Sequence, residues 1–439
     1  MKINVARSAP PTLTHEGARA ATVSPYQALR RSVLSCLLWE KGFYETGQDI
    51  AARVEDLVAQ VDAAKVRALI VEARKQHGLR HVPLLMICAL LRAGKPEGVA
   101  DLIEEAITRA DELAELVALY WRGGKKPLPA QMKKGLARAF LKFDAYALAK
   151  YNRDGAIKLR DVLFMTHAKP KDDVQAALWR SLVDGTLESP DTWEVALSGG
   201  ADKRETFTRL ITEGKIGYLA LLRNLRNMEQ AGVDTGLVRD AIIARKGAKF
   251  VLPFRYVAAA RAAPQFEPAI DQALSEAVSE IGILAGRTIV LVDVSGSMNA
   301  KLSAKSDLTR MDAAATLASV LHGDRRVFTF SDQLVEVPPR HGIAGVDAII
   351  RSQVHGGTEL IGAVAYINTM PADRLIVITD EQAAQDTMYG RLPAPTPKRA
   401  YMINVASDKH GIGYGNGWTH IDGFSESVMR YIFEVEAEE

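Results

Sequence analysis

Hydrophobic and polar positions follow two different periods along this chain of 439 residues. From about Tyr26 to Ile283, apolar residues recur every three or four positions, which predicts short amphipathic helices. Many of these segments end at or near glycine, a common helix stop. Because the helices are numerous and joined by brief polar loops, the pattern favours stacked helix pairs, an α-solenoid, over a four-helix bundle. Clear examples are YQALRRSVLSCLLWEKG, AKVRALIVEARKQHG and HVPLLMICALLRAG.

The period changes near Gly286. TIVLVDV is a continuous apolar run of strand length, and three more such runs follow it, separated by helical segments. Strands that alternate with helices predict a doubly wound α/β domain, with a parallel sheet covered by helices on both faces. We therefore predict a helical domain at residues 15–283 and an α/β domain at residues 284–439. The three later runs are RVFTFSD, DRLIVITDE and KRAYMINVA.

The composition is that of an ordinary soluble globular protein, with 48% hydrophobic and 25% charged residues. A formal net charge of +2 by itself neither favours nor excludes a nucleic-acid partner. Cys36 and Cys88 lie in apolar segments, so we expect small buried hydrophobes rather than a disulfide or a catalytic thiol. The N-terminus lacks an apolar signal core, and no apolar run is long enough to span a bilayer. We expect a cytoplasmic protein without membrane association.

Carboxylates and hydroxyls gather at the ends of two predicted strands. TIVLVDV delivers Asp293, Ser295 and Ser297 to the carboxyl edge of the sheet, where ligands of doubly wound sheets bind. DRLIVITD delivers Asp380 to the same edge, and the loop HGGTE between them carries Thr358. These are hard oxygen ligands, which suit Mg²⁺, or Mn²⁺, and not structural zinc. The alternative is a polar cluster at the strand ends without a metal.

These three elements resemble the metal-ion-dependent adhesion site of von Willebrand factor A domains. The family's DxSxS motif stands here as DVSGS, its threonine as GGT and its distal aspartate as ITD. In that family the ion completes its shell with a carboxylate from a partner. The resemblance implies five metal ligands, some of them acting through water: Asp293, Ser295, Ser297, Thr358 and Asp380.

Signatures of catalysis are missing from the sequence. There is no GxxxxGK[ST] phosphate loop, and neither half shows a Ser–His–Asp or Cys–His signature. Metal-assisted hydrolysis would need a general base aimed at a metal-bound water. Glu381 is next to Asp380, but neighbouring strand residues point to opposite faces. We predict that the protein is not an enzyme.

Positive charge is concentrated between Arg122 and Lys169, where twelve Lys and Arg residues and three Asp residues give a net charge of +9. A focused basic segment on a nearly neutral protein indicates a site for a polyanion. Aromatic residues interleave with the cations and could stack unpaired bases. The alternative is a solvated helix face above core aromatics. The aromatic residues are Tyr120, Trp121, Phe140, Phe143, Tyr146 and Tyr151, and the first candidate cations are Lys125, Lys126, Lys133, Lys134 and Arg138.

The order of residues resembles the TROVE module of the Ro autoantigen family, in its bacterial or phage form with a C-terminal von Willebrand factor A domain. LAKYNRDGAIKLRDVLFMTHAKP follows the family's order of KY, a basic residue, a glycine, an aspartate and a histidine before KP. VLPFRYVAAARAA and LALLRNLRNM resemble two further segments, although Leu252 stands where the family has a histidine. The likeness extends over about residues 15–435.

The resemblance implies a ring of HEAT-like helical repeats that binds RNA, followed by the A domain. Ro proteins hold single-stranded ends of structured or misfolded RNAs in the ring and bind noncoding Y RNAs outside it. Lys150, Arg153 and His167 match the family's RNA contacts, with Arg153 one residue early. Lys and Arg would neutralise phosphate, and His167 would donate to phosphate or stack on a base.

We therefore expect a non-catalytic, monomeric ribonucleoprotein scaffold in RNA quality control or processing. Its partners would be Y-like RNA, single-stranded RNA ends and an exoribonuclease such as polynucleotide phosphorylase. One alternative is a metal-dependent protein-interaction module of the A-domain cochaperone type, without RNA binding. A metal-dependent hydrolase is the other.

Overall fold

The protein is described by a computed structural model in which two compact units are resolved. The sheet unit comprises Met1–Ile50 and Leu274–Glu439, and the helical unit comprises Ala51–Ala273. The described residues are 12–36, 45–152, 154–279, 282–302, 307–384, 390–425 and 427–437.

Helices make up nearly all regular structure before the sheet. Every helix in the described ranges is too short or too polar to cross a lipid bilayer. The α-helices of this region are α1 (Pro25–Leu34), α2 (Gly47–Gln60), α3 (Ala63–Lys75), α4 (His81–Arg92), α5 (Val99–Ala106), α6 (Asp111–Tyr120), α7 (Ala130–Phe140), α8 (Ala145–Tyr151), α9 (Leu159–Thr166), α10 (Asp173–Asp184), α11 (Trp193–Ser198), α12 (Lys203–Thr212), α13 (Tyr218–Gln230), α14 (Thr235–Ala244), α15 (Phe254–Ala262) and α16 (Glu267–Ser279).

Local sequence explains where many of these helices begin and end. Asp62, Asp172 and Asp202 accept hydrogen bonds from first-turn N–H groups of α3, α10 and α12. Gly185, in the left-handed conformation, ends α10. Helices close in the chain pack on one another: α3 on α4, α4 on α5 and α6, α5 on α7, and α7 on α9. This packing is what the predicted stack of helix pairs requires, while a closed ring stays a prediction.

A six-stranded mixed sheet forms the centre of the sheet unit, with the strand order β3-β2-β1-β4-β5-β6. Its elements are β1 (Leu284–Asp293), α17 (Arg310–Ser319), β2 (Gly323–Phe330), β3 (Leu334–Val337), α18 (Gly342–Ile350), α19 (Leu360–Ile367), β4 (Arg374–Thr379), β5 (Arg399–Asn404), β6 (Thr419–Asp422) and α20 (Ser427–Ala437).

The prediction of a purely parallel sheet was wrong at one edge. The four predicted strands correspond to β1, β2, β4 and β5, which pair in parallel. The unpredicted β3 pairs antiparallel with β2, because only residues 331–333 join the two strands, far too few for the crossover that parallel pairing needs. The short β6 was also missed and extends the parallel part beside β5.

Both faces of the central strands are covered. Every residue of β4 and the residues from Thr288 to Asp293 in β1 are buried, as expected for continuous apolar strands between helical layers. On one face, Ile289 and Leu291 share a core cluster with Leu360 and Val364 of α19. Helix α17 contacts β1 and β4. This buried arrangement positions the carboxyl ends of β1 and β4 side by side.

The division into units differs from the predicted boundary between residues 283 and 284. The segment before Ile50, which we expected in the helical domain, groups with the sheet. The Thr14 hydroxyl donates to the carbonyl of Ala383 at 2.8 Å, and the Ser35 hydroxyl donates to the carbonyl of Asn404 at 2.8 Å. Helical periodicity shows that a segment has an apolar face, but not which core that face joins.

Candidate functional sites

Asp293 and Asp380 lie at the topological switch point of the sheet. Asp293 is the last residue of β1, and Asp380 directly follows β4. The two strands are parallel neighbours, but the chain continues from β1 to β2 on one side of the pair and from β4 to β5 on the other side. Doubly wound sheets form their ligand crevice at such a point. The structure therefore brings the two predicted carboxylates together.

Hydrogen bonds orient the polar side chains of the DVSGS segment. The backbone N–H of Ser295 donates to Oδ1 of Asp293 at 2.9 Å, and the Thr379 hydroxyl donates to Oδ2 at 2.6 Å. The hydroxyls of Ser295 and Ser297 lie 3.3 Å apart, and both side chains are buried. DVSGS thus turns its carboxylate and its two hydroxyls inward rather than towards solvent.

The loop that carries Thr358 is bound to both other segments. The N–H of Gly296 donates to the carbonyl of Gly356 at 2.9 Å, and the N–H of Ala384 donates to the carbonyl of Thr358 at 3.0 Å. Thr358 is itself buried. The three motif segments therefore form one hydrogen-bonded cluster.

Two residues that follow β2 and were not predicted as part of the site hold the glycines before Thr358. The Ser331 hydroxyl accepts from the N–H of Gly356 at 2.7 Å, and the Asp332 carboxylate accepts from the N–H of Gly357 at 2.6 Å. A Cβ at Gly356 would overlap the Asp332 carboxylate. The pair of glycines is thus required by the close approach of this side chain.

Burial makes the two carboxylates costly to ionise. Burial and the nearby charge of Asp380 raise the pKa of Asp293 to about 7. Burial and the charge of Asp408 raise the pKa of Asp380, although the Ser297 hydroxyl opposes the rise. Oδ2 of Asp380 is buried and has no hydrogen-bond partner among the described residues. A cation would relieve both the repulsion and this unmet acceptor.

The donor set fits a divalent cation. In the described ranges no three His, Cys, Asp or Glu side chains are grouped as in a metal site, so any ion here would rely on two carboxylates with hydroxyls and water. Mg²⁺ and Mn²⁺ bind in this way. The nearby guanidinium of Arg310 already pairs with Asp408 at 3.0 Å, which leaves the carboxylates of Asp293 and Asp380 without a full counter-charge.

Glu381 is not placed as a general base. Its backbone has a φ of +60° immediately after β4, so the strand alternation that we invoked against it does not apply. Its carboxylate is instead buried between Arg31 and His420. Burial alone would raise the pKa of Glu381, but His420 and Arg31 outweigh it and lower the pKa to about 2. A carboxylate so held is a poor proton acceptor at neutral pH.

The basic segment divides into paired and unpaired cations. Carboxylates from outside the segment neutralise two of its arginines: Glu55 pairs with Arg122, and Asp101 and Glu104 pair with Arg138. Arg138, a predicted RNA contact, is therefore already balanced. Apart from Lys158, no described lysine of the segment pairs with a carboxylate. Lys142 donates instead to the carbonyls of Glu104 and Ile107. Six lysines have neither a carboxylate nor a carbonyl partner in the described part of the chain: Lys125, Lys126, Lys133, Lys134, Lys150 and Lys169.

Three of the unpaired lysines lie against aromatic rings. Lys125 is 5.6 Å from the Trp121 ring centre, and Lys126 is 4.4 Å from that of Tyr120. They occupy the loop between α6 and α7, whereas Lys133 and Lys134 lie in α7 itself. Lys150, in the last turn of α8, is 5.4 Å from the ring of Tyr146 and 5.8 Å from that of Tyr151. Lys125 and Lys126 are exposed despite these contacts, so their charge stays accessible to a phosphate, whereas Lys150 is partly buried.

Three of the six aromatic residues of the segment belong to the core, as the alternative interpretation proposed, while Trp121 and Tyr151 are partly buried. Tyr120, Phe140 and Phe143 are buried, whereas Tyr146 is 45% exposed. Phe164, which was not among the predicted contacts, is 58% exposed in the last turn of α9. Its position three residues before His167 was the available signal.

His167 and Arg153 complete the predicted RNA contacts. His167 is exposed and ends α9 in the left-handed conformation, with a φ of 51°. Arg153 lies outside the described residues.

Two similarities to known proteins bear on these sites. Residues 176–246 match the TROVE domain family. The chain also shares the fold of the Ro (RSR) protein of Deinococcus radiodurans, whose crystal structure it matches with a TM-score of 0.61 and 18% identity over 94% of this chain and 100% of that one. This confirms the resemblance to the Ro family. No curated protein sequence matches the chain.

The TROVE match covers only part of the Ro-like fold. It begins inside α10 and ends after α14, and it includes the LALLRNLRNM segment in α13. Lys150 and His167 precede it, and VLPFR follows it. The TROVE match and the Ro fold indicate no enzyme family. The assignment of individual contacts in this Ro-like chain therefore depends on its own exposed side chains.

Proposed function

We propose that the protein is a non-catalytic, RNA-binding scaffold of the Ro type whose helical unit binds Y-like noncoding RNA and single-stranded RNA ends. The observation that carries the proposal is the set of six lysines with neither a carboxylate nor a carbonyl partner among the described residues, in the same unit as the TROVE match. A TROVE-like helical ring would place such cations around a cavity. The setting would be RNA quality control or processing in a reducing cytoplasm, which the two buried free cysteines favour.

The exposed side chains favour unpaired RNA over a duplex. Lysines bind phosphates of any nucleic acid, but exposed rings stack only on bases that are free of a helix. Tyr146 with Lys150, and Phe164 with His167, each combine an exposed ring with a donor. Such pairs would hold a single strand by stacking and charge together.

Salt-dependent binding tests this proposal. Filter binding would compare an RNA hairpin that carries a single-stranded 3′ tail with the same hairpin without it, over a range of salt concentrations. Each neutralised phosphate contributes roughly 0.7 to the slope of log affinity against log salt for a single strand. The double variant Lys133→Gln/Lys134→Gln should bind less tightly and show a slope smaller by roughly 1.4.

Lys158→Gln is the matched control, because Lys158 lies in the same segment but pairs with Asp154 at 2.7 Å. Its slope should change by less than half of the change in the double variant. Equal changes for paired and unpaired lysines would remove the assignment of the site, and an absence of RNA affinity in the wild type would remove the proposed function.

We also propose that the sheet unit recruits a protein partner through a divalent cation held by Asp293, Ser295, Ser297, Thr358 and Asp380. The cation would be Mg²⁺, or Mn²⁺, and it would accept a carboxylate from the partner. The buried and mutually repelling carboxylates support this part. An exoribonuclease such as polynucleotide phosphorylase is the partner we favour, on a scaffold that is otherwise monomeric.

Metal binding can be measured directly by titration with Mn²⁺. Asp380→Asn should abolish binding and raise the stability of the metal-free protein, because it removes the repulsion with Asp293. In the wild type, Mn²⁺ at a hundred times its Kd should increase the free energy of unfolding by about 2.7 kcal/mol. Asp324→Asn, which changes an exposed carboxylate of the same unit, should alter neither quantity.

The second candidate is a metal-dependent interaction module that does not bind RNA. The cluster at the switch point favours it, since this cluster would serve a protein partner with or without RNA. It predicts a partner that is released by chelation from a protein without RNA affinity. The unpaired lysines favour the RNA scaffold over this alternative.

A further inference from the structure

A buried ion pair is formed by Glu381, the residue that follows the candidate metal ligand Asp380. Arg31 of α1 is 1% exposed, and its guanidinium pairs with the buried carboxylate of Glu381. The same guanidinium donates from Nε to the carbonyl of Asp408 at 2.6 Å. From Nη2 it donates to the carbonyls of Asp380 and His410, each at 3.1 Å. One side chain near the N-terminus therefore holds three carbonyls and a carboxylate at the edge of the sheet.

The backbone after Asp380 needs such support. Glu381 has a φ of +60°, which non-glycine residues adopt only where their surroundings hold them. Its N–H donates to the Thr379 hydroxyl at 2.9 Å, and its Oε1 lies 2.8 Å from Nε2 of His420. Its other carboxylate oxygen binds Arg31. Side-chain contacts, rather than local preference, hold this turn in place.

The loop after β5 closes over the ion pair. A Cβ at Gly411 would overlap the Glu381 carboxylate and lie 2.5 Å from Nη1 of Arg31. A Cβ at Gly413 would also overlap Glu381. Because the loop approaches so closely, it cannot shift to fill the space left by a smaller side chain at position 31 without disturbing Glu381.

The turn connects Arg31 to the carboxylate of Asp380. The N–H of Gln382 donates to Oδ1 of Asp380 at 3.1 Å, and Nε2 of Gln382 donates to the same Asp380 carbonyl that Arg31 binds. The orientation of the Asp380 carboxylate thus depends on the turn that Arg31 holds. The other oxygen, Oδ2, is the one without a partner in the described structure.

We propose that Arg31 is a positioning residue that holds the Asp380 carboxylate beside Asp293 and thereby sets the affinity of this site for a divalent cation. The inference rests on the proposed metal-dependent docking. It makes α1 part of the metal site although no residue of α1 is a ligand. Because such coupling is reciprocal, a bound cation must stabilise the docking of α1 by the same factor by which docked α1 strengthens cation binding.

The first test measures Mn²⁺ affinity by calorimetry on the full-length protein. Removing a residue that orients a metal ligand weakens binding about 10- to 100-fold. We expect an effect of this size for Arg31→Met and a smaller one for Arg31→Lys, which keeps the charge but not the forked geometry.

Arg374→Lys is the matched control. Arg374 is equally buried in the same unit and pairs with Glu436, but it lies at the opposite end of β4 from Asp380. This variant should lower stability and leave Mn²⁺ affinity unchanged. Equal weakening by Arg374→Lys and Arg31→Lys would overturn the positioning role, since both would then act through general destabilisation.

The second test needs no variant and uses hydrogen exchange in the wild type. Mn²⁺ should slow exchange of the α1 amides from Arg30 to Leu34 but not of the α20 amides. No protection of α1 by bound Mn²⁺, or unchanged affinity in a folded Arg31→Met protein, would overturn the role of Arg31 alone. A wild-type protein that binds no Mn²⁺ would overturn both this role and the docking proposal.

Discussion

The exposed ring of Phe164 offers a stacking surface that the composition of its segment does not reveal. Aromatic side chains of this size are normally buried, yet Phe164 is 58% exposed at the end of α9, where the exposed His167 caps the helix. Phe140 occurs in the same basic segment and is fully buried. Only the exposed ring is available to a base.

We expect Phe164→Ala to weaken binding of a single-stranded RNA tail by about 1–3 kcal/mol, because one stacking platform is lost. The measurement is the difference in affinity between tailed and blunt hairpins. Leu219→Ala is the control, since Leu219 is an exposed apolar residue of α13 in the same unit. An equal loss in both variants would indicate a nonspecific effect and refute the role of Phe164.

At the scale of elements, the C-terminal helix α20 is tied to the sheet by Glu436. Its carboxylate accepts from Nε of the buried Arg374 at 2.5 Å and from the Tyr401 hydroxyl at 2.9 Å, and Arg399 pairs with it at 3.1 Å. Burial raises the pKa of Glu436, but these donors outweigh it and lower the pKa below its usual value. The ionised carboxylate is therefore favoured by the fold.

This pair predicts a dependence of stability on pH. Because the pKa of Glu436 is lower in the folded state, its contribution is complete above the unfolded pKa and is lost as the pH falls through the folded pKa. Glu436→Gln should lower the free energy of unfolding by about 3 kcal/mol at neutral pH, since Arg374 stays buried without its counter-charge. The variant should also lose less stability than the wild type on acidification.

Chemical denaturation at several pH values measures both effects. Glu336→Gln breaks the exposed pair with Arg326 and should cost less than about 1 kcal/mol. If the variant and the wild type lose the same free energy of unfolding as the pH falls, the prediction is wrong.

At the scale of the whole molecule, the sheet unit is assembled from two distant parts of the sequence. Residues before Ile50 and after Leu274 form one unit, and residues between them form the other. Ala18 belongs to the same core cluster as β1 and β4, and Arg31 neutralises the buried Glu381. The predicted domain 284–439 lacks both.

We therefore expect a fragment of residues 284–439 to be unfolded or aggregated, because it exposes the apolar surface that covers Ala18 and leaves Glu381 buried without Arg31. Cooperative thermal unfolding, followed by circular dichroism, would be absent. Joining residues 1–50 to a fragment of residues 274–439 should restore cooperative unfolding. Stable cooperative folding of the short fragment would show that the N-terminal segment is dispensable.

Much of the oxygen-donor cluster could be predicted from local sequence. Continuous apolar runs predict buried strands, and the ends of parallel strands share one edge, so Asp293 and Asp380 had to be near each other. The contribution of Ser331 and Asp332 could not be predicted, because they follow β2 in a turn whose antiparallel return depends on pairing with β3.

The sequence does not show which cations of the helical unit are paired with carboxylates. A count of cations along the segment cannot include Asp101 and Glu104, which neutralise Arg138 from α5. Nor does it distinguish the buried Tyr120 and Phe140 from the exposed Tyr146. Pairing and burial depend on contacts between positions far apart in the chain.

The sequence by itself determined the two types of secondary structure, the strand ends that carry the oxygen donors, the concentration of basic residues and the likeness to Ro proteins. These depend on local periodicity and on the order of motifs. Only the tertiary structure decided that α1 joins the sheet, that Arg31 lies behind Asp380, and which lysines lack a carboxylate partner. The physical reason is that hydrogen bonds and ion pairs are satisfied by whichever groups folding brings together, and sequence separation does not limit that choice.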